Sequence, residues 1–216
     1  MSYPVPLAPL FPLGMVPFVG ESINLHIFED RYKSLAADCL ADDQPFGIPP
    51  YISGKLCGYG GLIEIMEVVE RYPDGRLDLR CSCVGRFRLL EFSNPAPGQL
   101  YAGGRIEVLD PDPHSEADRE TQTQLVMLVQ RLYQMLEATL EANKLQQNSL
   151  SYALGHKLGL SLDQEYELFL MTHEEERQQY LIAHLARTIP TLEELNRTRA
   201  RISLNGHFQK FDPLTF

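Results

Sequence analysis

Cys81-Ser-Cys83 is the first place in this sequence where chemistry could gather. Two thiolates so close could offer a metal two ligands, but Cys39 and Cys57 are the only other thiols and no Cys-x2-Cys pair exists. In an alternating strand both cysteines face the side that carries Leu79 and Phe87. Core packing as small hydrophobes is therefore the expected role. Same-face neighbours along one strand also lack the geometry of a disulfide. His173-Glu-Glu-Glu-Arg177 begins like a zinc-binding protease helix but lacks the second histidine four residues on. Its acidic run reads as first-turn carboxylates at a helix N-terminus. Gly58-Tyr-Gly-Gly61 has no helix after it to receive a phosphate. No metal and no cofactor is expected.

Acid–base and nucleophilic chemistry give equally little. The six histidines, His26, His114, His156, His173, His184 and His207, have no neighbouring Ser, Cys or Asp in a catalytic arrangement, and there is no Gly-x-Ser-x-Gly elbow. Triads assemble across a fold, so one assembled in space stays open at this level. Glu29-Asp30 and Asp42-Asp43 are adjacent, so their side chains diverge in any regular element. Glu29 and Asp30 suit the start of a helix instead.

The elements that would position these residues divide the 216-residue chain in two. Residues 1–110 hold 11 of the 15 prolines and most of the glycines, with short apolar runs between them. That pattern predicts strands at 7–13, 22–28, 46–51, 59–71 and 100–109, and one helix over 28–40. Strict alternation from Leu77 to Leu89 predicts a half-buried strand, with Arg80, Arg86 and Arg88 on its exposed polar face. Tyr72-Pro-Asp-Gly75 predicts the hairpin before it, with Asp74-Gly75 as the positive-φ pair. Pro9 and Pro12 place their segment at a sheet edge or in a first strand.

Residues 111–216 show helical spacing instead. Helices are expected over 116–143, with a stripe of Leu125, Leu128, Val129, Leu132, Leu136 and Leu140, and over 149–158, ended by Gly159. Capping-box spacing at Ser161, Thr172 and Thr191 predicts three further starts. A boundary at 110 gives a β domain (1–110) and a helical bundle with a C-terminal tail (111–216).

Composition excludes several function classes. The chain is 44% hydrophobic and 22% charged, as in ordinary globular proteins. Net charge is −10, and neither half is basic, which opposes phosphate-based nucleic-acid binding and docking on an anionic membrane. The apolar N-terminus is interrupted by five prolines before residue 18 and lacks a basic leader, so no signal peptide is expected and the default location is the cytoplasm.

Four motifs carry a resemblance. Pro9-Leu-Phe-Pro-Leu13, Leu25-His-Ile-Phe-Glu-Asp-Arg-Tyr32, Tyr72-Pro-Asp-Gly-Arg-Leu77 and Val84-Gly-Arg-Phe-Arg-Leu-Leu-Glu91, in this order, resemble the N-terminal substrate-recognition domain of Lon ATP-dependent proteases. The likeness covers residues 7–110 motif by motif and the helical half by pattern. It implies an α+β fold: a PUA-like β pseudo-barrel with one inserted helix, followed by a C-terminal helical bundle. It also implies recognition of unfolded or flagged polypeptides, with a separate protease or chaperone as a partner. No ATPase or Ser–Lys protease signature is present, so a stand-alone, non-catalytic module is expected.

An apolar loop, Gly14-Met-Val-Pro-Phe-Val-Gly20, is the candidate contact surface, with Met15, Val16 and Phe18 in it and Tyr51 and Tyr59 nearby in sequence. The alternative is that these side chains fold under the barrel. RNA binding, by analogy with other PUA-like folds, and an unrecognised hydrolase are the competing functions.

Overall fold

The longest strand, β7 (Leu77–Ser93), organises the first half of the molecule. The structure, a computed structural model, describes residues 7–111, 117–139 and 149–206, with backbone alone over 199–206. β7 pairs along one edge with β6 (Tyr59–Arg71). Along its other edge it pairs first with β2 (Ser22–Ile27) and then, past residue 86, with β8 (Ala102–Val108). β3 (Phe46–Ile48) and β1 (Ala8–Leu10) complete the ring β7-β6-β3-β1-β8 back to β7. One strand thus serves two partners on one side, which closes a small barrel and leaves β2 outside it. A short hairpin, β4 (Tyr51–Ile52) and β5 (Lys55–Leu56), stands apart.

β1 is the first strand but not an edge: it lies between β3 and β8. It spans only three residues, because Pro12 has no N–H to continue the ladder, and contact resumes at a lone bridge from Leu13 to Pro50. The 72–76 hairpin differs from the expected turn. Only Gly75 has positive φ (83°), and the Tyr72 N–H donates to the Arg76 carbonyl. This is the three-residue loop with glycine in the left-handed position, so Asp74 need not leave the right-handed region.

The inserted helix α1 (Asp30–Asp42) buries Tyr32, Leu35, Ala36 and Cys39 against Ile23, Ile27, Leu79, Cys81 and Cys83. Burial pushes the thiols of Cys81 and Cys83 up to about 11 and about 12, so both are held as neutral core groups. Inside the ring Phe87 fills the space over Gly60, where a Cβ would come within 2.6 Å of the ring.

The second half packs α2 (Arg119–Met135) along α5 (Glu174–Gly206), with α3 (Leu150–Leu154), a 3-10 turn (Gly155–Lys157) and α4 (Leu162–Leu170) at one end. α2 is shorter than its apolar stripe suggests, and Leu140 lies outside the described residues. Ser161 forms the expected capping box with Gln164, after Gly159 at φ 75°. Thr191 starts no helix, because α5 runs straight through Pro190. The Thr191 hydroxyl instead donates to the Arg187 carbonyl one turn back.

The last strand ends at Val108 and α2 begins at Arg119, yet one apolar core draws on both halves. Val16, Phe18 and Ile52 are buried in it together with Leu125, Leu154, Leu168, Phe169, Leu181 and Leu185.

Candidate functional site

Phe18 is the side chain that the 14–20 loop drives into the bundle. It has no exposed surface. Its ring stacks on Tyr152 at 5.1 Å and lies against His156 at 4.7 Å. Gly155 makes the socket, since a Cβ there would sit 2.3 Å from the Phe18 ring. Val16 is equally buried in the same core. Neither side chain is therefore surface that a docked chain can touch in this conformation, and the loop acts as the joint between barrel and bundle. Met15 is partly buried against the barrel core. Tyr51, on β4, is 50% exposed.

Tyr59 lies elsewhere, in a groove of about 400 Å³ where the end of the barrel meets α4, lined by Arg86, Leu109, Phe169, Leu170 and Thr172 as well. Four of these six side chains are apolar or aromatic, and Leu170 is 40% exposed at the mouth. The Tyr59 N–H donates to the Tyr166 hydroxyl at 3.1 Å, which fixes the first residue of β6 against α4. The structure thus places Tyr59 in the groove, Tyr51 on the neighbouring hairpin, and Val16 and Phe18 beneath the surface.

Arg86 corrects the reading of β7. It is only 7% exposed, not part of an exposed polar row. A bulge lies at this point, with Leu62 opposite Gly85 but Ile63 opposite Cys83. The bundle covers the outer face just beyond it. Arg86 Nη1 donates to the Phe169 carbonyl at 2.8 Å and to that of Met171 at 3.5 Å, at the C-terminal end of α4 where carbonyls lack intrahelical partners. Replacing Arg86 by Met is expected to cost ~1.5–3 kcal/mol through these lost charge-assisted bonds. Chemical denaturation followed by circular dichroism reads it, and an unchanged midpoint would return Arg86 to a surface role. No sequence signal marks Arg86. Gly155 did carry one, since an isolated glycine in a helical pattern often marks a close approach.

Arg80 and Arg88, the other two arginines of that strand, face Glu67 at 2.5 Å and Glu107 at 3.9 Å. The three guanidiniums therefore make no continuous basic row. His26 Nδ1 lies 2.5 Å from Asp78, whose other oxygen accepts from the Tyr72 hydroxyl at 2.7 Å. That bond raises the Tyr72 phenol, the opposite of what a nucleophile requires. His184 Nε2 meets the Leu158 carbonyl and staples α5 to the turn after α3. His114 and His207 lie outside the described residues. Among the described residues no group of three or more His, Cys, Asp or Glu could hold a metal ion, and no helix is long and apolar enough to cross a membrane.

Comparison with known proteins places this architecture. A Lon N-terminal domain protein from Xanthomonas campestris superposes with a TM-score of 0.66 at 27% identity, over 83% of this chain and 98% of that one. The N-terminal domain of Lon protease from the Mycobacterium avium complex superposes with a TM-score of 0.61 at 15% identity, over 83% of this chain and 97% of that one, a likeness of fold. A search of curated proteins found no match. The model of the ATP-dependent protease La (LON) substrate-binding domain matches residues 8–187, from β1 into α5, and the chain belongs to that family.

Proposed function

We propose that this protein is a non-catalytic recognition module that holds apolar segments of unfolded or flagged polypeptides in the cytoplasm and passes them to a separate protease or chaperone. What carries the reading is the substrate-binding family model, which spans barrel and bundle together. The groove between them supports a location. It is concave and mostly apolar, and its few polar residues, Arg86, Thr172 and Tyr59, could orient a bound chain. Tyr59 and Leu170 are the proposed contact side chains, with Tyr51 and Met15 extending the surface along the neighbouring hairpin and loop. Val16 and Phe18 serve the site indirectly, by fixing the bundle against the barrel.

The test is fluorescence anisotropy with a labelled, permanently unfolded polypeptide such as reduced, alkylated α-lactalbumin. Leu170→Asp is expected to weaken binding by about tenfold or more while leaving the melting temperature unchanged. Phe28→Asp, at a 60% exposed residue just after β2, is expected to change nothing. The bound chain should be recovered uncut. No binding by the natural protein, or cleavage that one Ser or His substitution abolishes, would sink the reading. Loss on Phe28→Asp alone would move the site to the surface beside the end of β2.

A further inference from the structure

His156 stands between two carboxylates contributed by different parts of the molecule. Its Nε2 lies 3.2 Å from Glu21 Oε2, on the segment entering β2, and its Nδ1 lies 2.9 Å from Glu165 Oε1, on α4. An ionised carboxylate only accepts, so a ring that satisfies both must donate from both nitrogens and be an imidazolium. The same Glu21 Oε2 accepts the Phe18 backbone N–H at 3.2 Å. The His156 ring also packs on the Phe18 ring at 4.7 Å. Phe18 is thus held twice by one group, through its backbone by way of Glu21 and through its ring directly.

We propose that Glu21, His156 and Glu165 form a protonation-dependent latch that keeps Phe18 seated between barrel and bundle, and that loss of the imidazole proton frees the 15–19 loop. A neutral ring can donate to only one of the two carboxylates, and its second nitrogen then presents a lone pair to the other. The Glu21 carboxylate loses a partner, and with it the fixed acceptor for the Phe18 N–H. The charged groups facing the ring are Glu21 from the segment before β2 and Glu165 from α4. Lys157 is its neighbour on the same turn. Phe18 faces it from the loop.

Burial by itself would lower the His156 pKa. The hydrogen bonds to Glu165 and Glu21 outweigh it and raise the group to about 9. A raised folded-state pKa sets the sign. The latch's contribution is fully present below the ordinary histidine value of about 6.5 and is lost as pH rises through about 9. Cys83, whose sulfur lies 3.6 Å from the Pro17 carbonyl of the loop, is pushed up by burial to about 12, as is Tyr166. These groups titrate outside the same window.

The test uses the full chain and a neutral paramagnetic chelate in solution. Relaxation enhancement is read at the Val16 methyls, with the equally buried Leu125 as an internal control for global unfolding. Between about pH 7 and pH 10 the enhancement at Val16 should rise severalfold while Leu125 stays protected, with the midpoint following the His156 ring resonances. His156→Gln should show the high enhancement already at neutral pH and no further rise. Glu21→Gln, a milder change, should move the midpoint down by about one pH unit or more, because one of the two carboxylates that raise the ring is gone. A flat Val16 response in the natural protein, an unshifted midpoint in Glu21→Gln, or Val16 and Leu125 rising together would overturn the proposal. The measurement needs no bound polypeptide, so its outcome is separate from that of the binding test.

Discussion

Phe18→Ala is expected to remove ~3–5 kcal/mol of folding stability, the range for truncating a fully buried phenylalanine. The ring fills a socket whose floor is Gly155 and whose walls are Tyr152 and His156, and the glycine floor has no side chain to fill the vacated space. Urea denaturation by circular dichroism should show the loss as a lower midpoint. The result also separates the two roles open to this loop. If Phe18 were a contact for bound polypeptide, truncating it would weaken binding and leave stability nearly untouched. A loss below about 1 kcal/mol would therefore refute the socket. Gly155→Ala supplies the converse. Its new methyl would overlap the ring, so the single change should destabilise by ~1–3 kcal/mol. Combined with Phe18→Ala it should cost less than the sum, because the added methyl enters the cavity the ring left.

The barrel was largely legible in the sequence, because its strands report burial against their own layer. β6 runs from Tyr59 to Arg71, as its pattern predicts, and Leu77, Leu79, Cys81 and Cys83 are buried as the alternation requires. Phe87 is buried on the same face, but at Arg86 the logic fails, for a physical reason. Alternation records which side of a strand faces the nearest core, and it is silent on whether another layer covers the opposite side. Arg86 and Phe18 are both buried by the bundle, a partner distant in sequence, so neither carries a local mark of it. The same holds for the groove: Tyr59 comes from β6, Leu109 follows β8, and Phe169 and Leu170 end α4.

Helix boundaries show the limit of motif spacing. Ser161-Leu-Asp-Gln164 and Thr191-Leu-Glu-Glu194 have the same capping form, but only the first follows a break in the chain, at Gly159. Before Thr191 the chain is already helical. Pro190 deletes a single donor, and the buried stripe of Leu181, Leu185 and Ile189 carries the helix up to the proline. At Asp118, by contrast, a true cap has no such spacing. Its carboxylate accepts from the N–H groups of Glu120 and Thr121.

Glu174→Ala is expected to cost ~3–5 kcal/mol, because it takes the carboxylate of a buried ion pair away from its arginine. The acidic start of α5 reads from sequence as carboxylates at a helix N-terminus, but Glu174 does more. Its side chain and that of Arg177 are 5% and 4% exposed, and they meet at 2.9 Å. Glu174 also accepts from the Ser151 N–H and hydroxyl, from the Ser149 hydroxyl and from the Gln178 amide, so it ties α3 to the first turn of α5. Arg177 reaches on to the Met171 carbonyl, which Arg86 approaches from the barrel. Removing the carboxylate takes its acceptor from the buried Ser151 N–H and a charged partner from the guanidinium, which keeps the neutral oxygens of Ser151, Tyr152 and Met171. Replacing both partners, Glu174→Leu with Arg177→Met, should cost clearly less than Glu174→Ala alone, since no charge is then left buried. Denaturation midpoints of the two variants decide the matter. If the single change costs under about 1 kcal/mol, or the pair costs more than the single, the network does not hold α3 and α5 together by its charge.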